Sequence, residues 1–150
     1  MAKWARAGGK VVVALAAMLV MLTASETSAE GIAKRLTCTF DSGTSTIYQA
    51  GEFISKPAQA LTFEIANIDL EAQSARLLTS EGDGAGTLRV VRALNANHFI
   101  EVVNEGFLNL TTIYELDSSR GTYPAVHSRH LGLLGQPVFA QYSGQCKALP

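Results

Sequence analysis

Cys38 and Cys146 are the only cysteines of the chain, and a segment rich in strand signals lies between them. An N-terminal stretch reads as a secretory leader, so both thiols are expected in a compartment where disulfides persist. A bond between them would tie the first strand of the fold to the last. It would hold the two Cα atoms about 4.4–6.8 Å apart. Few other features limit the accessible folds as strongly. C-x-x-C redox chemistry is excluded, because the two cysteines are far apart in sequence.

The leader has three parts. Lys3, Arg6 and Lys10 give a positive start, Val11 to Thr23 carry no charge, and Thr27-Ser28-Ala29 supplies small residues before a cleavage point after Ala29. Residues 1–29 are therefore expected to be a cleavable signal peptide and residues 30–150 a single domain. The apolar run is shorter than the roughly 20 residues a membrane-spanning helix needs. No stable membrane span is expected after cleavage, and the expected location is periplasmic or secreted.

Cleavage would remove Lys3, Arg6, Lys10 and Glu26 and leave 9 basic and 12 acidic residues. The remaining net charge is near −3, and only Lys34 and Arg35 are adjacent cations. A phosphate backbone requires clustered positive charge, so nucleic acid is excluded as a partner class. The remaining chain of about 120 residues has the size of one core-bearing domain.

Alternation dominates this region. Leu61-Thr62-Phe63-Glu64-Ile65 alternates apolar and polar, as do Thr87–Ala93, His98–Asn104 and Leu108–Glu115. Such a period places one face on a core and the other in water. Further strands are expected over Leu36–Phe40, Ser45–Gln49, Ser74–Thr79, Tyr123–His130 and Val138–Ser143. Asp41-Ser42-Gly43, Ser80–Gly86, Leu94–Asn97, Asn104-Glu105-Gly106 and Asp117–Gly121 read as turns or loops. The pattern predicts an all-β fold, an antiparallel meander of about eight strands. A sheet of that length hides its edges by closing into a barrel, or alternatively by folding into a sandwich. Closure makes the first and last strands neighbours, which suits the cysteine pair.

Four features could carry chemistry. Asp41-Ser42-Gly43-Thr44 matches the D-[ST]-G-[ST] signature of aspartic proteases, in which two carboxylates share a proton. One copy of that motif per chain would require a homodimer with Asp41 as the catalytic group. His127-Ser128-Arg129-His130 has the spacing that, on a helix, turns two imidazoles to one face for a metal. On the strand expected here, residues three apart point to opposite faces, so His127 and His130 would not share an ion. Tyr48, Phe53, Phe63, Phe99, Tyr114, Tyr123, Phe139 and Tyr142 could line a lumen, although eight strands enclose little more than their own side chains. Asn109-Leu110-Thr111 is a formal glycosylation sequon, set aside because the leader and short chain have a bacterial character.

Three segments carry a resemblance: Asn109-Leu110-Thr111-Thr112-Ile113-Tyr114, Ala125-Val126-His127-Ser128-Arg129-His130 and Gln141-Tyr142-Ser143-Gly144-Gln145-Cys146. With Leu36-Thr37-Cys38-Thr39-Phe40, they make the chain similar to a group of small exported bacterial proteins of unassigned function. The resemblance implies that the cysteine-bracketed unit is a recurring domain, with interest centred on Ser128-Arg129-His130. It implies no catalytic residue and no cofactor.

The resulting expectation is an exported binding or interaction module rather than an enzyme, taking a small apolar molecule or a protein partner. His127, Arg129, His130 and Tyr123 are its expected binding residues. The alternatives are a dimeric protease through Asp41 and a metal-binding protein through His127 or His130.

Overall fold

The computed structural model describes residues 32–79, 82–103, 106–132 and 136–150. The expected signal peptide lies outside the described residues. Nine strands follow one another: β1 Leu36–Gln49, β2 Glu52–Pro57, β3 Leu61–Asp69, β4 Ser74–Thr79, β5 Gly82–Ala93, β6 Ala96–Val103, β7 Phe107–Tyr114, β8 Tyr123–Leu131 and β9 Val138–Ala148. From β3 to β9 each strand pairs with the next, and β9 returns to pair with β1. Eight antiparallel strands thus close a barrel, and the sandwich alternative is ruled out. β2 is an additional strand beside the ring.

β1 explains both the closure and the extra strand. Leu36–Phe40 pairs with β3, Thr44–Gln49 pairs with β2, and β9 runs along the other edge of both halves. The ladder with β9 slips between Thr39 and Ser42. Phe40 and Asp41 there oppose the single residue Gly144, and the extra residue bends the strand and changes its phase. Leu36, Cys38 and Phe40 face the core before the bulge; Gly43, Ser45 and Ile47 face inward after it. This corrects the expected turn at Asp41-Ser42-Gly43, which is the bulge of one continuous strand.

Gly144 is needed at this point. A Cβ there would collide with the Thr39 carbonyl oxygen and lie 2.8 Å from Phe40 Cα and Cδ1. A second irregularity, between Ala66 and Asp69 in the β3–β4 ladder, accompanies the left-handed Asn67 (φ 52°). It shifts the inward phase from Phe63 and Ile65 to Ile68, so β3 runs past the Ile65 at which alternation ends.

Cys38 and Cys146 lie directly opposite each other in the β1–β9 ladder and form a disulfide with a Cα separation of 4.0 Å. This is shorter than the range expected above, because Cys146 sits within β9, which runs on to Ala148, and not beyond the strand's end. Both cysteines are fully buried among Leu36, Phe40, Ile65, Val90, Phe99 and Ile113. Each large side chain so enclosed contributes about 1.5–3 kcal/mol of apolar burial. The rings of Phe40 and Phe63 stack at 5.5 Å in the middle of the barrel.

One end is plugged. Ile32 and Ala33 pack on the core, the Lys34 carbonyl accepts from the Ile68 amide at 3.1 Å, and the Arg35 carbonyl accepts from the Leu149 amide at 3.0 Å. The β1–β2 hairpin rises from the opposite end, called the mouth below.

Candidate functional site

Register across the strands fixes what faces the mouth. In the row nearest the core, Thr111, His127, Tyr142 and Gly43 are successive cross-strand partners on β7, β8, β9 and β1. His127 is 6% exposed, with its ring 5.1 Å from Phe63, 5.6 Å from Phe40 and 5.8 Å from Tyr142. Its Nδ1 shares a 2.9 Å hydrogen bond with Thr111 Oγ1. Burial, and secondarily the Arg129 guanidinium, lowers its pKa from 6.5 to about 4. A charged imidazolium would exchange water for aromatic carbon here, so His127 is neutral at pH 7.

Two residues further up each strand comes a polar row. Lys56, Ser45, Ala140, Arg129, Asn109 and Glu101 are successive partners across β2, β1, β9, β8, β7 and β6. Asn109 Nδ2 donates to Glu101 Oε2 at 2.6 Å. The Glu101 carboxylate lies across Gly86 of β5, in the space where a Cβ would sit. Arg129 Nε and Asn109 Oδ1 are buried and have no hydrogen-bond partner among the described residues. The two salt bridges found among those residues, Arg35–Glu64 and Arg120–Asp117, lie elsewhere.

Above it the mouth becomes apolar. Ile54, Ile47, Val138, Leu131 and Phe107 are cross-strand neighbours on the same inner face. Ile54 is exposed and the others are half-buried. From the interior outward, the order is aromatic plug, polar row, apolar rim.

The structure separates the residues singled out in the sequence. His127 and Arg129 share the inner face of β8, while His130 is exposed on the outer face beside Phe139, with ring centroids 6.5 Å apart. Tyr123 pairs with Cys146 at the plugged end and packs on the core, away from the mouth. Asp41 is exposed on the bulge of β1. Among the described residues no three His, Cys, Asp or Glu side chains gather as a metal site would require.

Of the eight aromatics that could line a lumen or fill the core, Phe63 and Phe99 fill the core and Tyr123 and Tyr142 pack against it. Tyr48, Phe53 and Tyr114 are exposed. Sequence reasoning missed Lys56, Glu101 and Asn109, and set Asn109 aside as part of a sequon. Its side chain faces the interior, and the available signal was a polar residue at an inward position of an alternating strand.

The outer face has a second feature. An open depression of about 420 Å³ lies over β1, β9 and β8, lined by Ser42, Thr44, Val126, Ser128, Gln141 and Ser143. Beside it, Tyr48, Phe53 and Phe139 form an aromatic group with centroids 4.9 and 6.1 Å apart. Thr46 is buried next to them and hydrogen-bonded to Ser55 at 2.7 Å.

Searches of protein-family models, curated proteins and solved structures gave no match to this chain. Among the described residues no helix is long and apolar enough to cross a membrane. The buried disulfide is compatible with an oxidising compartment.

Proposed function

We propose that the protein is an exported binding module, periplasmic or secreted, whose barrel mouth takes a small apolar molecule. The observation that carries this reading is the in-register row Ile54–Ile47–Val138–Leu131–Phe107. It leaves apolar side chains half-open above the buried core. Ligand sites favour such concave apolar linings with a few convergent polar groups, and barrels present them at their mouths. The leader and the cysteine pair support export.

The neutral fluorophore N-phenyl-1-naphthylamine tests the reading. Its emission should rise on saturable, one-to-one binding to the purified, disulfide-bonded protein. Ile47→Glu or Leu131→Glu should abolish the rise, and Phe53→Ser on the outer face should leave it unchanged. No saturable binding, or loss with Phe53→Ser alone, would overturn the reading.

The group of exposed Tyr48 and Phe53 with half-buried Phe139 favours a second reading, a protein partner on the outer face. Aromatic residues are enriched at interface centres. Under that reading Phe53→Ser weakens capture of the partner while probe binding at the mouth persists.

A further inference from the structure

We infer that the molecule taken at the mouth is an amphiphile with an anionic carboxylate head, held by Arg129, with its tail against the apolar rim. This rests on the mouth reading above. It adds the chemistry of the head.

The polar row carries the argument. Arg129 points inward on β8, between the plug around His127 and the rim residue Leu131. Its Nε is buried without a hydrogen-bond partner among the described residues. A buried guanidinium N–H left without an acceptor is unfavourable, and protein interiors normally supply one. The acid in the same row, Glu101, receives its bond from Asn109, which stands between Glu101 and Arg129 in the register. Adjacent strands are about 4.8 Å apart, so the backbones of Glu101 and Arg129 are roughly 10 Å apart.

The other charged or titratable groups on this inner face leave Arg129 without a neighbouring counter-charge in its own row: Glu52, the second carboxylate, stands two steps beyond Lys56 at the tip of β2. Lys56 is a second cation in the row, on β2. His127 is the buried imidazole below, hydrogen-bonded to Thr111 and enclosed by rings. With His127 neutral, the described residues of this face hold two cations, one carboxylate engaged by Asn109 and one, Glu52, out at the tip of β2.

A guanidinium prefers a planar acceptor that can take two parallel N–H bonds, and a carboxylate meets that geometry. The rim residues Ile47, Val138 and Leu131 stand one step further out on the same face. A head on Arg129 therefore directs an alkyl chain along them toward solvent. Asn109 Oδ1, the other unpartnered atom, is an acceptor and would repel the head unless its amide turns the donor side toward it. The carboxylate accordingly belongs on the Arg129 side of the row.

The experiment compares dodecanoate with methyl dodecanoate, which shares its chain and lacks its charge. Each is titrated at pH 7 as a displacer of N-phenyl-1-naphthylamine from the disulfide-bonded protein. Dodecanoate should bind about tenfold to a hundredfold more tightly than the ester, the span of a hydrogen bond to a charged group. Arg129→Gln should remove that preference, the larger loss falling on dodecanoate. Arg129→Lys, which keeps the charge without the fork, should retain part of it and guards against a folding defect in the glutamine variant.

Equal binding of acid and ester by the wild type would overturn the inference and leave the mouth reading standing. A preference for the acid that survives Arg129→Gln would also overturn it, by placing the anion elsewhere. Failure of both compounds to displace the fluorophore would overturn it by showing that neither occupies the mouth. Failure of the fluorophore itself to bind would overturn the mouth reading and this inference with it.

Discussion

His127 makes the stability of the barrel depend on pH within a defined window. In the unfolded chain its imidazole takes a proton near pH 6.5; in the folded barrel it does so only near pH 4. Well above pH 6.5 it is neutral in both states and contributes nothing to the slope. Between pH 6.5 and 4 the unfolded chain binds a proton that the folded chain does not, so stability falls as the pH falls. The interval from 6.5 to about 4, at about 1.4 kcal/mol per pH unit, amounts to about 3 kcal/mol.

Urea unfolding measured at half-unit steps from pH 7.5 to 4 provides the assay, with His127→Leu as the reference. That variant leaves Thr111 Oγ1 without its partner and so lowers stability at every pH, but it removes the titration. Asp69 and Asp117, whose carboxyls are held below the usual 3.8 by backbone and hydroxyl donors, lose their contributions only as pH falls below this window. They do so equally in both proteins. Wild type should lose about 3 kcal/mol more than His127→Leu between pH 7 and pH 4. Parallel curves would refute the reasoning, since they would mean that the imidazole is as easily charged inside the barrel as outside.

Three further outcomes are expected. Gly144→Ala should cost about 3 kcal/mol in chemical unfolding, because its methyl group meets backbone on the bulged strand, where overpacking is not relieved by a side-chain rotation. Replacing both Cys38 and Cys146 with Ala, or reducing the protein, should lower stability by roughly 4–5 kcal/mol for a bridge spanning 108 residues; the melting temperature with and without dithiothreitol gives the comparison. Glu64→Gln, which weakens the exposed pair that Arg35 makes through Nε at 3.0 Å and Nη2 at 2.6 Å, should cost no more than about 1 kcal/mol and less in high salt, as a surface pair does.

The fold was legible wherever a strand had one wet and one dry face. Phe63 and Ile65, Val90, Phe99 and Ile113 all lie inward as alternation requires. β2 was not legible for the same reason: all six of its residues are exposed, so it has no dry face to impose a period. The Asp41-Ser42-Gly43 segment has the composition of a turn, and only the opposing Gly144 reveals a bulge. The SEGDGAG segment also has loop composition, yet β5 begins at Gly82 and its ladder partners run along β4. Leu94–Asn97 shortens to a two-residue turn, because Ala96 and Asn97 pair with Ala93 and Arg92.

The candidate site was half legible. His127 and Arg129 stood out as a local cluster, and the opposite orientations of His127 and His130 follow from strand geometry. Tyr123 belonged to the same sequence neighbourhood but sits at the other end of β8. Lys56, Asn109 and Glu101 meet Arg129's row through the register of six strands, and no local pattern encodes that register. Once β1 changes phase at its bulge, even the inward face of Ile47 depends on counting from Gly144.

Closure by the last strand also sets an order of events for a chain that is made from its N-terminus. β1 must wait for β9 before its second edge is covered, and the pairing it waits for spans nearly the whole domain. Local hairpins from β3 to β8 can form as they emerge. The ring, and with it the alignment of Cys38 with Cys146, comes only at the end. Contacts this distant in sequence make folding slow, and until they form, β1 and β8 are open edges on which another chain can pair. Oxidation of the two thiols thus serves as a timer as well as a brace, because it fastens the barrel at the moment when β9 joins the open edges of β1 and β8.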